Sequence, residues 1–394
     1  MKRSVLFFVC ALVIPALLLV SCENEPSAPV EAASSSTAPL SKVTTPPAGS
    51  ISVSVFATGL NFPRGLKFGP DGYLYVAEAG SGGDMSTEGQ SVQVAPPVGP
   101  YTGGYTARIS KISPLGVRST MADGLPSARN SFGDVLGVAD IEFRGRRMYA
   151  LLAGGGSSHG FLNVPASVLR VAGNGSWSVI ADLSHFQQHN PVANPEEDDF
   201  EPDGSWYSMV RAGDDLYAVE ANHGELDRVD PESGSIKRIV DISASQGHIV
   251  PTAIVYHRGH FYVGNLGVFP ITPGSAKILR ISKSGKISTW ATGFTTILGL
   301  ALDRKDRMYV LETTTDPGFP SPGTGRVVRI NKKGGNETIA DGLFLPTAMT
   351  IGPDGNLYVS NKGFGPPIPG FGEILKIDLP DSHGPKGEGE GDGD

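Results

Sequence analysis

Cysteine is nearly absent from this chain: two residues in 394, Cys10 and Cys22, both close to the start. Neither a disulfide framework nor a cysteine-based zinc site can be built from such a pair. Charge is also sparse. Only 18% of residues are Asp, Glu, Lys or Arg, and 32 basic against 40 acidic side chains leave a formal net charge of −8. That balance argues against a nucleic-acid binder held by phosphate contacts. No nucleophile elbow, phosphate-binding loop or HExxH pattern occurs, which removes three common catalytic signatures. Glycine (52) and proline (31) are abundant instead. That many turn residues disfavours a helical bundle and points to short strands joined by many turns. A hydrophobic content of 39% is enough for a folded core.

The ends read differently from the middle. Met1-Lys2-Arg3 precedes an apolar run from Val5 to Val20 and then Ser21-Cys22, the pattern of an export signal. Leu19-Val20-Ser21-Cys22 resembles the bacterial lipoprotein signal, which implies cleavage after residue 21 and a lipid on Cys22. Residues 22–50 are rich in Pro, Ser, Ala and Thr and are expected to form a flexible tether spanning on the order of 30 Å. Residues 381–394 form a Gly/acidic tail with nothing to bury. The expected placement is therefore an exported protein held to a bacterial membrane by its N-terminal lipid. Glu23, in place of the Asp that retains lipoproteins at the inner membrane, points to the outer membrane.

The middle, residues 51–380, repeats one phrase, an apolar pair around a tyrosine. It recurs at Leu74-Tyr75-Val76, Met148-Tyr149-Ala150, Leu216-Tyr217-Ala218, Phe261-Tyr262-Val263, Met308-Tyr309-Val310 and Leu357-Tyr358-Val359. A period in the forties with alternating apolar residues predicts four-stranded propeller blades. In each, strand A ends in a tight turn such as Gly69-Pro70-Asp71-Gly72, strand B carries the tyrosine, and strands C and D follow. The sixth unit lacks strand D, while Ser52–Gly59 is a strand D without a blade. An all-β, six-bladed propeller is predicted, with the N-terminal strand completing the last blade and no open sheet edge. A monomer is expected. The basic residue recurring in strand C (Lys111, Arg170, Arg228, Arg280, Arg329, Lys376) reads as blade packing, since it is present in every repeat.

In such a blade the long insertions all fall in the D–A and B–C connections, which emerge at one mouth, and function resides in long loops on rigid scaffolds. Three residues past each strand-B tyrosine stand Glu78, Leu152, Glu220, Asn265, Glu312 and Asn361. Here the repeat symmetry is broken. Three carboxylates and two amides offer hard oxygen ligands for Ca²⁺ or Mg²⁺. The alternative is that each caps its own strand end. Arg64, Thr252 and Thr347 begin strand A and should face the same funnel, and Trp206, Tyr207 and Asn222 lie on loops beside it. His159 and His223 follow strand B on this mouth. His257 and His260 lie at the opposite mouth. His185 and His189 have a zinc-ligand spacing only if their segment is helical, and a solvated loop is expected.

The stretches at 56–80 (FATGLNFPRGLKFGPDGYLYVAEAG), 99–112 (GPYTGGYTARISKI) and 215–231 (DLYAVEANHGELDRVDP) resemble the ScyD/ScyE family of secreted propeller proteins across roughly residues 51–380. The resemblance implies export and a six-bladed propeller, and it implies no known reaction. More distantly, the architecture is similar to gluconolactonase-like (SMP-30 type) and paraoxonase-like propellers, which hold a divalent cation at the funnel with Glu, Asn and Asp. This chain departs from that set by having no Asp in the ring and Leu152 at one place. Two functions follow. One is a membrane-anchored module whose loop mouth binds a small molecule, glycan or protein partner. The other is a metal-dependent hydrolase or lactonase, with Ca²⁺ or Mg²⁺ at Glu78, Glu220, Asn265, Glu312 and Asn361 and a carboxylate, His223 or His159 as base.

Overall fold

The computed structural model describes residues 51–331, 335–364 and 368–380. The signal segment, Cys22, the tether and the acidic tail fall outside them. Among the described residues the chain is nearly all β: six antiparallel sheets, each contributing one four-stranded blade. The innermost strands are Pro63–Phe68, Val138–Arg144, Trp206–Ala212, Pro251–His257, Ile297–Leu302 and Ala348–Ile351. Each packs against the next, and Pro63–Phe68 touches both Val138–Arg144 and Ala348–Ile351, so the six encircle an axis. Ser52–Leu60 pairs with Gly372–Asp378, Ser52 opposite Asp378 and Leu60 opposite Gly372, so one sheet holds both the first and the last strand. Blade 1 gains a short fifth strand, Val135–Leu136.

Period-2 alternation explains why the middle of strand B is apolar on both faces. Successive side chains leave opposite faces of the sheet, and both faces are covered. In Leu74–Glu78, Leu74 and Val76 join a core with Tyr358 and Ile374 of blade 6, whereas Tyr75 and Ala77 join one with Val138, Ile141 and Met148 of blade 2. The four further interfaces are built the same way, and the repeated tyrosine always points toward the following blade. Six apolar layers between blades thus replace a single central core.

The strand-C cations are part of this packing. Lys111 pairs with Asp71 at 2.8 Å and Lys376 with Asp354 at 2.9 Å, and in both blades the same Asp accepts the strand-B tyrosine hydroxyl. Arg228 pairs with Asp215, Arg329 with Glu337, and Arg280 bonds the His260 ring. Near the axis, Asp140 accepts the Met209 amide at 2.8 Å and Glu142 accepts both the Arg211 amide and the Lys67 ammonium. Two carboxylates of blade 2 thereby lace together the innermost strands of blades 1, 2 and 3.

Leu60 is fully buried between blades 6 and 1. Leu60→Ala should cost about 2–5 kcal/mol, read as a lowered denaturation midpoint with an unchanged denaturant slope.

Candidate functional site

Each strand B ends at the loop-rich mouth on the residue singled out in the sequence: Glu78, Leu152, Glu220, Asn265, Glu312 or Asn361. All six are buried, so a polar side chain here needs partners close by. It finds them in the connection arriving from the preceding blade. Glu78 accepts the Asn61 amide at 2.5 Å, Glu220 that of Ser205 at 2.5 Å, Glu312 that of Thr295 at 2.7 Å and Asn361 that of Phe344 at 3.0 Å. Asn265 donates to the Ile249 carbonyl at 2.9 Å and accepts the Lys277 amide at 2.8 Å. The remaining polar atoms face strand C: Arg108 bridges Glu78 at 2.8 Å, Arg326 bridges Glu312 at 2.6 Å, and the Asn361 amide nitrogen donates to Glu373 at 2.8 Å. Glu220 receives the Asn222 and His223 amides, with the His223 ring 3.4 Å away. Burial works against its charge, yet the His223 ring and these amides outweigh that and hold the carboxyl below its usual range. His223 is raised in turn by the same carboxylate, against the opposing effect of its own burial.

The arrangement is a set of strand-end clamps, the second of the two readings open in the sequence. Three of the corners they hold are strained. Phe62 (φ 52°), Val250 (φ 55°) and Leu345 (φ 45°) sit in the left-handed region that side chains avoid. Leu152, lacking polar atoms, packs with Ala77 and Val138, and blade 2 keeps only the backbone tie from Ala153 and Gly154 to the Gly137 carbonyl. Among the described residues, no three His, Cys, Asp or Glu side chains are grouped as a metal ion would need.

The other sequence candidates divide between the axis and the loops. Tyr207, from blade 3, reaches across to blade 6 and donates to the Thr347 carbonyl at 3.1 Å. Thr347 donates to the Pro63 carbonyl at 2.7 Å and Thr252 to that of Ile297 at 2.5 Å. Arg64 bonds the carbonyls of Gly363 and Val135 and lies 4.5 Å from the Phe364 ring. These four residues therefore tie blades to one another at the mouth ends of the innermost strands. Beneath them lies a cavity of about 350 Å³ walled by the innermost strands, with Leu66, Ile141, Met209, Ile254, Leu300 and Met349 among its lining. Asp140 also faces this cavity, and burial pushes its carboxyl up to about 7.

Trp206 is not a mouth residue. It is buried beside Tyr149 and Leu151, with its indole N–H on the Asp203 carbonyl at 3.2 Å. Asn222 pins the loop before it, accepting the Glu201 amide and donating to the Asp198 carbonyl. His159 is fully buried, with Nδ1 2.7 Å from the Gly155 carbonyl and Nε2 3.0 Å from Glu201, which also accepts the Tyr101 hydroxyl. The Gly155 carbonyl and the Glu201 carboxyl on its two sides favour the doubly protonated ring. Glu201 holds its pKa above the usual value although burial opposes this. Loops from three places in the chain are thus locked together, and His159 is a fastener with no open side. The segment of His185 and His189 is a helix, Leu183–His189, started by the Asp182 side chain on the His185 amide, and not the solvated loop expected.

The sequence reading missed an aromatic ridge. The B–C loops of blades 4, 5 and 6 each present a phenylalanine: Phe269 meets Phe319 edge-on at 5.0 Å, and Phe319 meets Phe364 at 6.3 Å. Phe269 is 60% exposed, with Val268 and Ile368 exposed beside it. Tyr105 and Leu162 are exposed on the same mouth, Tyr105 against Phe161. The signal was available as Phe269-Pro270, Phe319-Pro320 and Gly363-Phe364 in equivalent loops.

No family model matches the sequence. No curated protein matches it either. Among solved structures, the calcium-binding protein regucalcin from Agrobacterium tumefaciens aligns over 82% of this chain and 92% of its own, with 12% identity and a TM-score of 0.51. A putative oxidoreductase (glucose dehydrogenase) from Thermus thermophilus aligns over 83% and 100%, with 18% identity and a TM-score of 0.50. The chain shares their fold. A Xanthomonas campestris gluconolactonase aligns over 83% and 89%, with 10% identity and a TM-score of 0.48.

Two expectations follow. Glu312→Ala leaves Arg326 and the Thr295 amide without their partner and should cost about 3–5 kcal/mol in stability, measured by denaturant unfolding. The raised pKa of Asp140 means the folded state holds a proton that the unfolded state releases near pH 4. Its contribution is full below that pH and is lost by about pH 7. Wild-type stability should therefore fall more steeply across this window than that of Asp140→Asn, as read by denaturation midpoints at stepped pH.

Proposed function

We propose that the protein is a recognition module whose loop-rich mouth binds an uncharged ligand, a glycan or a peptide, on the Phe269–Phe319–Phe364 ridge. The observation that carries this reading is the ridge itself. Phe269 is exposed and Phe319 and Phe364 are half-buried, and the three stand on equivalent loops, whose residues 266–275, 313–324 and 362–371 hold only Asp316 and Lys362 as charges. Contiguous exposed aromatic surface marks interaction sites. Aromatic side chains supply contact area at low entropic cost. Asp316 is the one carboxylate in these loops, and Glu78, Glu220 and Glu312 are engaged as clamps at the strand ends. The N-terminal pattern ending in Cys22 and the ScyD/ScyE resemblance support an exported, lipid-tethered setting.

A second reading, a divalent-metal-dependent lactonase or esterase, draws on the shared fold with a calcium-binding regucalcin and on Glu78, Glu220, Asn265, Glu312 and Asn361 standing at equivalent strand ends. For it to operate, Ca²⁺ or Mg²⁺ must displace Arg108, Arg326 and the backbone amides from those oxygens, and His223 must leave Glu220.

One experiment separates the two. Wild type, Phe269→Ala/Phe319→Ala and Glu312→Gln are compared on an array of neutral oligosaccharides and peptides, and in a lactone and ester hydrolysis panel with millimolar Ca²⁺. Recognition predicts binding weakened at least about tenfold by the phenylalanine pair, as for interface hot spots, with Glu312→Gln unchanged. Hydrolysis in wild type that is lost in Glu312→Gln, with no effect of the phenylalanine pair, would replace this reading by the second.

A further inference from the structure

Five of the described histidines have polar or charged partners: His159 with Glu201, His223 with Glu220, His248 with Asp199, His257 with Asp306, and His260 with Arg280. His185 and His189 are different. They stand one turn apart on the helix Leu183–His189, both exposed, with ring centroids 3.9 Å apart and ring planes 30° from parallel. Residues at i and i+4 lie on one helical face. The two rings stack face to face, and a rotation about the side-chain bonds of these exposed residues turns a nitrogen of each toward a shared point. His189 Nδ1 is 2.9 Å from the His185 carbonyl. An acceptor there fixes the proton on Nδ1 and leaves Nε2 with a free lone pair, as the outer hydrogen bond of a metal-bound histidine does.

We propose that His185 and His189 form a bidentate imidazole site for a divalent transition ion of the Zn²⁺, Ni²⁺ or Cu²⁺ class. Imidazole suits these ions and not Ca²⁺ or Mg²⁺. A metal at about 2.0–2.1 Å from each nitrogen spans ring nitrogens up to roughly 4 Å apart, a separation that exposed side chains one helical turn apart reach by rotating out of the stack. Water completes the coordination. The site acts as a staple for a short helix that needs one. Seven residues are too few to persist alone, and this helix is held by Asp182 at its start and by Gln187 on Glu225. Its last residues lead into Asn190 and Pro191, whose carbonyls receive Arg238 of blade 3. A metal that binds the folded pair stabilises that segment by mass action, and the segment carries Glu201 and Asp203, which fasten the mouth loops.

The test uses the full chain, free of any affinity tag and treated with a chelator. Ni²⁺ and Zn²⁺ are titrated calorimetrically and by thermal unfolding, and the Cu²⁺ adduct is read by electron paramagnetic resonance. Expected are one equivalent of bound metal, a melting midpoint rising with metal concentration, and nitrogen splitting from two imidazoles. Each of His185→Ala and His189→Ala should weaken binding at least about tenfold, the loss of a chelating partner. Both side chains are exposed, so the variants should fold, and His257→Ala serves as the unaffected control. Binding that persists in both variants, or that moves to the control, overturns the site. Binding without a rise in midpoint overturns the staple.

Discussion

A buried polar side chain at the end of a blade's second strand faces the connection that brings the chain in from the blade before. In five of six blades it is Glu or Asn, and it accepts or donates a backbone hydrogen bond there while its other polar atom meets strand C or the loop beyond its own strand. The rest of the molecule depends on this tie. Most of the contact between blades is through apolar layers, which set distance but not angle, because apolar burial has no direction. The clamp supplies the direction. It also holds the corners where Phe62, Val250 and Leu345 adopt backbone angles their side chains disfavour.

The same economy explains the mouth. Oxygens engaged by Arg108, Arg326 and backbone amides are poor candidates for a cation. Tyr207, Arg64, Thr252 and Thr347 use their polar atoms to bond the carbonyls of other blades. His159, Glu201 and Tyr101 lock the inserted loops from within. What is left facing outward is the phenylalanine ridge, with little charge around it.

The fold was legible in the sequence because a blade is a local object. The tyrosine phrase, the Gly-Pro-Asp-Gly turns and the orphan strand at Ser52 recur at fixed spacing, and each reports contacts within one repeat or with the next. The strand-C cations were legible for the same reason: a feature shared by all blades belongs to the blade. The ring at Glu78, Glu220, Asn265, Glu312 and Asn361 was correctly placed at the strand ends, but its partners were not, since Asn61 or Thr295 comes from the preceding blade and no spacing rule marks an amide. Trp206 looked like a mouth residue because it starts a strand after a long loop, yet its side chain turns inward to Asp203. The helix at Leu183 was hidden by its length, its one signal being Asp182 three residues before His185. The ridge required loops from three repeats to be compared with one another, and such loops carry no periodicity of their own.

The central claim, that the strand-end ring is scaffold, is tested most directly by thermal unfolding of the purified propeller in EDTA and in millimolar CaCl₂. Equal midpoints are predicted, because the ring's oxygens already have partners. A midpoint several degrees higher in calcium, abolished in Glu220→Gln/Glu312→Gln, would contradict it.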